Sequence, residues 1–187
     1  MKLLLPLLLL LYATSAAAQN RALDAAKSRV AFIYTLERKI AVEGRFPRFA
    51  AQLSFDEKAP EKGSVRIDID VAAIDTGTSD GDAEAKQPLW FDAARFPQAS
   101  FVSSAIRRVG ERRYEALGSL TIKGRTREAA IPFSAANAPG GGLSVQGSLT
   151  IKRLAFGIGL EQWADVSQIA DEVEIRFSLA LGPPRSP

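Results

Sequence analysis

Apolar and polar residues alternate along most of this chain, and the alternation predicts strands separated by turn residues. Val30, Phe32, Tyr34 and Leu36 share one face of a first strand. Ile40 and Val42 lead through Glu43-Gly44-Arg45 into Phe46, Phe49, Ala51, Leu53 and Phe55, a run long enough for Gly44 or Pro47 to bend or bulge it. Val65, Ile67, Ile69 and Val71 alternate with Arg66, Asp68 and Asp70 and predict a third strand with its charges outside. Phe101, Ser103 and Ala105 oppose Val102, Ser104 and Ile106 on a fourth. Tyr114 to Ile122, a strand ending near Phe133, Leu143 to Ile151 and Val173 to Leu181 complete the series. Lys123-Gly124-Arg125 and Pro139-Gly140-Gly141-Gly142 mark turns between them.

About eight strands joined mostly by hairpins predict a single all-β domain, an antiparallel eight-stranded barrel of a size that can hold a small ligand. Two stretches interrupt the pattern. Ala72 to Pro97, after the third strand, predicts a long helical or irregular connection. It has helix formers from Ala83 to Lys86, a stop at Pro88 and a second short turn capped by Asp92. Leu154 to Asp171 is the other. Gly118-Ser119-Leu120-Thr121-Ile122-Lys123 recurs as Gly147 to Lys152, which predicts the same inward parity for two strands rather than a solenoid.

The N-terminus predicts export. Lys2, the leucine-rich run Leu3 to Leu11 and Ala16-Ala17-Ala18 read as residues 1–18 of a cleaved signal peptide, with a mature start at Gln19 and a periplasmic destination. The apolar run is shorter than the roughly 20 residues of a spanning helix. The folded domain is expected over residues 19–182, with 183–187, Pro-rich, as a frayed tail.

Composition narrows the chemistry. The 187 residues contain no histidine and no cysteine. That excludes a Ser-His-Asp triad, a thiolate nucleophile, a His or Cys zinc site and any disulfide. The net charge of +3 comes from interspersed acids and bases without a basic stripe, so no nucleic-acid partner is expected. Asp68, Asp70, Asp75, Asp80 and Asp82 lack the spacing of a calcium loop, so no metal or other cofactor is expected. A carboxylate-dependent hydrolase or isomerase would need an acid pair, and no spacing fixes one.

The aromatic residues carry more. Phe32, Tyr34, Phe46, Phe101, Phe156 and Phe177, with Val42, are candidates to line a lumen; Trp90, Phe91 and Trp163 sit on the irregular stretches and could form its mouth. The same residues could instead simply fill the barrel. Arg45 and Arg48 interleave with Phe46 and Phe49, as head-group ligands above an apolar cavity or as ordinary surface charges.

In order and spacing, several runs resemble the YceI-like family of lipid- and polyisoprenoid-binding proteins. They are Ser28-Arg29-Val30-Ala31-Phe32, Val42-Glu43-Gly44-Arg45-Phe46, Phe55-Asp56, Ile74-Asp75-Thr76-Gly77, Asp82, Trp90-Phe91-Asp92, Phe96-Pro97, Gly118 to Thr126, Phe156-Gly157-Ile158 and Asp171-Glu172-Val173. The resemblance spans about Leu23 to Leu181. It implies a lipocalin-like barrel with a long apolar lumen, an exported, non-catalytic protein, and a ligand such as an isoprenoid lipid, a quinone or a fatty-acid derivative. Many members carry histidines where this chain has Leu36-Glu37-Arg38-Lys39 and near Glu84, so no head-group residue is carried over. A soluble monomer or weak dimer is expected, with at most transient contact with a membrane or a membrane-bound redox partner. A small outer-membrane barrel is the competing architecture, because it alternates too; it should show two aromatic girdles, and the mature chain offers only Tyr34 and Tyr114 as tyrosines.

Overall fold

The computed structural model describes residues 20–185; the signal-peptide reading of residues 1–18 lies outside them. Ten strand segments form one antiparallel sheet: β1 (Asn20–Leu23), β2 (Arg29–Leu36), β3 (Ile40–Arg45), β4 (Phe49–Ser54), β5 (Ser64–Asp70), β6 (Gln98–Gly110), β7 (Arg113–Ile122), β8 (Arg125–Ala138), β9 (Gly142–Lys152) and β10 (Ile169–Arg185). The order is β1-β4-β5-β6-β7-β8-β9-β10-β2-β3, with β1 also paired to β10.

These ten segments make eight staves. β1 and β2 form one stave, broken by a 3-10 turn at Ala25–Lys27. Ser28 spans the break: its hydroxyl donates to Asp24 O at 2.7 Å and accepts from Ala180 N at 2.9 Å. β3 and β4 form a second stave, bent at Pro47, which has no N–H to give a ladder. There Phe46 N donates to Val30 O at 2.9 Å. The long β10 pairs with β9 along one edge, and with β2 and then β1 along the other, so the barrel closes.

Two expectations change at the ends of strands. β10 runs on through Pro183 and Pro184 to Arg185 where a frayed tail is expected; Pro184 lies opposite Arg21 and Arg185 opposite Asn20. β9 pairing stops at Leu181–Leu143, so the prolines need no N–H toward that neighbour. Val71 leaves the third stave: β5 ends at Asp70, and Val71 opens a 3-10 turn and is buried there.

Burial follows the predicted parity. β7 alternates without a break, with Tyr114, Ala116, Gly118, Leu120 and Ile122 inside. Phe101 and Ile106 of β6 differ in parity yet are both buried in one core cluster. A bulge between Ser103 and Ala105 shifts the register by one and resets the faces. It forms opposite Gly118, where a Cβ would stand 2.2 Å from Val102 O. The two Gly-Ser-Leu-Thr-Ile-Lys runs do share parity, with Leu120, Ile122, Leu149 and Ile151 all facing the interior. The lower end is plugged by packed aromatics: Phe55, Tyr114 and Phe133 have ring centroids 4.9 to 5.9 Å apart, with Phe55 edge-on to the other two.

The outer wall carries the charges. Arg66 grips Asp68 through two 2.7 Å hydrogen bonds, and Arg176 pairs with Glu174. An apolar interior and a charged exterior invert the polarity of a membrane-spanning barrel, so the outer-membrane alternative loses its support.

The connection after β5 is a short α-helix within irregular chain. α1 spans Ser79–Ala85, earlier than the helix formers alone suggest, because Thr78 caps it by accepting from Gly81 N at 3.2 Å. The second turn closes on the Asp92 carbonyl, which accepts from Arg95 N and Phe96 N. The whole connection occupies the space beside β3 that β5, ending at Asp70, leaves open. Arg45 and Asp75 exchange both backbone hydrogen bonds there, at 2.8 and 3.0 Å.

Ile69 faces the interior and Asp68 the solvent. Ile69→Asp places an unpaired charge against apolar walls and is expected to cost about 3 kcal/mol. Asp68→Ser removes a surface ion pair and should cost less than about 1 kcal/mol. Urea denaturation of the two variants checks the assignment, and equal losses would reverse it.

Candidate functional site

The barrel interior is hollow along much of its length. A lower space of about 110 Å³ is walled by apolar side chains including Val65, Ile67, Ile69, Phe101, Leu149 and Phe177. An upper space of about 440 Å³ lies between β2, β3, the start of β10 and the long connection. That falls within the roughly 300 to 1,000 Å³ typical of small-molecule pockets. Ala99, Ile122 and Ile175 border both, so the two are successive chambers of one lumen. The half-buried state of Ile67 and Ile69, which point inward, has the same cause: solvent-sized space reaches them.

Glycines help to keep the lumen open. Phe32 pairs across the ladder with Gly44, and Phe177 with Gly147. A Cβ on Gly44 would stand 2.2 Å from the Phe32 ring, and one on Gly147 2.5 Å from the Phe177 ring. Each phenyl therefore lies on its cross-strand glycine, flat against the wall instead of across the channel.

Most of the expected aromatic positions meet here. Phe32, Tyr34, Val42, Phe46, Trp90 and Phe91 border the upper chamber, and Phe101 and Phe177 the lower. Burial pushes the Tyr34 phenol upward from its ordinary range, so it stays protonated and can donate. Two expected positions lie elsewhere. Phe156 is buried in the apolar core cluster with the Arg127 guanidinium 5.8 Å from its ring centre, and borders neither chamber. Trp163 packs behind Trp90, with ring centroids 5.6 Å apart, and does not border the chamber. Period-two reasoning cannot place either, because both sit in 3-10 turns.

Arg45 and Arg48 also stand apart from the lumen. Phe46 faces inward, and the arginines on either side of it project to the outer surface. Arg45 binds Asp75 at 2.6 Å, and its guanidinium holds the Asp75 carboxyl below its usual value. Arg48 binds Asp70 at 2.9 Å. Both partners are surface aspartates of the kind that satisfies an arginine without a ligand.

The cation that borders the upper chamber is Arg153, a residue outside the regular alternation of the strands. It is 2 % exposed. Its guanidinium donates to five backbone carbonyls: Nε to Ala170, Nη1 to Ile158 and Gly159, and Nη2 to Trp163 and Ile169, all at 2.7 to 3.0 Å. Burial pushes its pKa down, and the charge of Asp171 opposes that shift. The chain can wrap so closely because Gly157 and Gly159 take left-handed conformations, at φ 71° and 67°. A signal for Arg153 did exist: Leu149 and Ile151 face inward, so the next residue of that parity does too.

α1 and its capping residue present Thr78, Gly81, Glu84 and Ala85 to the same chamber, at the i, i+3 and i+4 spacing of one helical face. Glu84 Oε1 accepts from Trp90 Nε1 at 2.9 Å. The segment after α1 is pinned to the Arg153 turn. Leu89 O accepts from Gly159 N and Leu160 N, and Lys123 Nζ donates to both Pro88 O and Gly157 O at 2.7 Å. The mouth is thus a fixed frame around an apolar shaft. Among the described residues no group of three or more acids could hold a metal ion, and Glu84 is the sole carboxylate on the lining of the upper chamber.

Arg153→Met removes five donors from buried carbonyls at once and is expected to lower stability by about 3 kcal/mol or more. Arg45→Ala, on an exposed pair, should cost about 1 kcal/mol or less. Chemical denaturation of both variants provides the check, and comparable losses would contradict the structural role given to Arg153.

Comparison with known proteins agrees with this architecture. A UPF0312 protein of Photorhabdus laumondii, plu2095, is 31% identical over 122 residues, which cover 64% of this chain and 62% of that protein's length. A UPF0312 protein of Pseudomonas paraeruginosa, PSPA7_0523, is 29% identical over 141 residues, covering 73% and 71%. Among solved structures, Burkholderia cenocepacia BcnA superposes with a TM-score of 0.82 at 40% identity, over 84% of this chain and 98% of that one. A polyisoprenoid binding domain from Saccharophagus degradans, implicated in plant cell wall breakdown, shares the fold with a TM-score of 0.70 at 18% identity, over 89% and 99%. The YceI-like domain model matches residues 22–181, so an eight-stave barrel with a hollow apolar lumen is here a member of the YceI-like family.

Proposed function

We propose that this protein is an exported, non-catalytic carrier that sequesters a long-chain amphiphile of the polyisoprenoid type, with the tail in the barrel lumen. The observation that carries this reading is the two-chamber shaft. The lower chamber is apolar apart from Ser100, is closed below by the Phe55, Tyr114 and Phe133 plug, and opens above into the larger chamber. A linear tail can descend while its polar end remains beside the side chains of the mouth. Burial contributes about 0.8 kcal/mol per CH₂, so a tail of a dozen or more carbons can outweigh the cost of association.

The family supports a lipid-binding role, and the Saccharophagus degradans domain of the same fold is described as polyisoprenoid-binding. The leucine-rich run and Ala16-Ala17-Ala18 support export, which N-terminal sequencing at Gln19 would test. A carrier in an aqueous compartment gives an insoluble chain a dry enclosure, and this role needs no reactive side chain.

Chain length is the informative variable. With one head group held fixed, four further CH₂ groups should tighten binding on the order of 100-fold until the shaft is full. Ala99 borders both chambers, so Ala99→Phe should obstruct the passage between them. The variant is expected to bind short chains nearly normally and to lose the gain from longer ones. Tryptophan fluorescence titration, with Trp90 at the mouth, reads both effects. Affinity independent of chain length would contradict the proposal.

A further inference from the structure

The mouth of the upper chamber contains two ionisable side chains of opposite sign, Arg153 and Glu84, and they differ in what they have left to offer. A guanidinium has five N–H donors. All five of Arg153's are taken by backbone carbonyls at 2.7 to 3.0 Å. No donor remains for a carboxylate or a phosphate, and five carbonyl dipoles already converge on the charge. Arg45 and Arg48, the other arginines near this end of β3, point outward and are paired with Asp75 and Asp70.

Glu84 is the reverse case. One of its oxygens accepts a single hydrogen bond, from Trp90 Nε1 at 2.9 Å, and among the described residues it forms no ion pair. A carboxylate has about four lone-pair sites, so Glu84 keeps most of its accepting capacity on the chamber lining. The indole bond fixes its position on α1.

Resting on the reading of the shaft as a lipid site, we infer that the mouth selects long-chain ligands whose head donates a hydrogen bond, a hydroxyl or an ammonium, and discriminates against carboxylate and phosphate heads, with Glu84 as the specificity-determining residue. A hydroxyl head donates to Glu84 and can accept in turn from the Tyr34 hydroxyl on the same lining. An anionic head would bring a second negative charge into a confined, mostly apolar space beside a carboxylate, with no free guanidinium N–H to receive it. A fatty acid or an isoprenyl phosphate is therefore disfavoured relative to a long-chain alcohol, a quinol or an amine.

The test holds the chain at sixteen carbons and varies the head among alcohol, primary amine, carboxylate and monophosphate. Binding is followed by tryptophan fluorescence below each probe's micelle concentration, at a pH where the carboxylate is ionised. The wild-type protein should bind the alcohol and the amine at least about tenfold more tightly than the carboxylate and the phosphate. Glu84→Gln keeps an acceptor for Trp90 and removes the charge. It should strengthen carboxylate binding about tenfold and weaken amine binding by a similar factor, so that the ratio collapses. Equal affinity for all four heads, tighter binding of either anion, or an unchanged ratio in Glu84→Gln overturns this inference while leaving the carrier reading intact, provided longer chains still bind more tightly. Failure of every head at every chain length would overturn both.

Discussion

Closure of the sheet on β10 is the constraint from which the rest of the structure follows. β10 gives one edge to β9 and the other to β2 and then β1, so no stave is left unpaired along the main body of the wall. Once the ring is closed, period two divides every strand into a lumen face and a solvent face, and a one-residue slip would bury a row of charges. Where parity must change, the structure uses a local device. The Ser103–Ala105 bulge brings Ile106 into the core, with Gly118 allowing the close approach. Eight staves enclose an interior that side chains can fill or that can hold one small ligand, and phenyl rings laid on Gly44 and Gly147 leave volume open.

The one sector where closure is incomplete is beside β3, and the mouth is built there. β5 ends before it can pair with β3, and the capped helix α1 and the turn after it occupy the space. Their attachment depends on a charge placed among backbone carbonyls. Arg153 collects three of them from the segment between β9 and β10 and two from the start of β10, and that segment in turn holds Leu89 and Pro88 through Gly159, Leu160 and Lys123. Desolvating a guanidinium is costly, and saturating every donor offsets that cost. The result is a rigid polar rim above an apolar shaft.

Much of this was legible in the sequence wherever a strand is regular. The faces of β5, β7 and β10 and the matched parity of the two Gly-Ser-Leu-Thr-Ile-Lys runs follow from alternation, and the hairpin at Lys123-Gly124 from its turn residues. So does the lumen position of Phe32, Tyr34, Phe46, Phe101 and Phe177. Alternation fails where the chain leaves the ladder. It does not tell that Phe156 and Trp163 border neither chamber, that β10 continues through two prolines, or that Val71 has left its strand. It also misdirects attention to Arg45 and Arg48, because an arginine next to an inward phenylalanine looks like a head-group ligand until its aspartate partner is seen. Asp75 and Asp70 are 30 and 22 positions away, and only the fold brings them together. Hollowness itself leaves no mark on a binary pattern, since a filled barrel and an open one alternate in the same way.

The chemistry available to the lumen is that of enclosure. Apolar walls and a fixed mouth suit retention of a chain that water rejects, and the family is of a binding type. The central claim is that the shaft holds one long apolar tail. Native mass spectrometry of the protein purified from its own host without detergent tests this most directly. The account predicts a one-to-one complex whose released ligand carries a long isoprenoid or acyl chain, and loss of that species in Ala99→Phe. A ligand-free protein that also refuses every long-chain amphiphile, or a bound species that is short and polar, would contradict it.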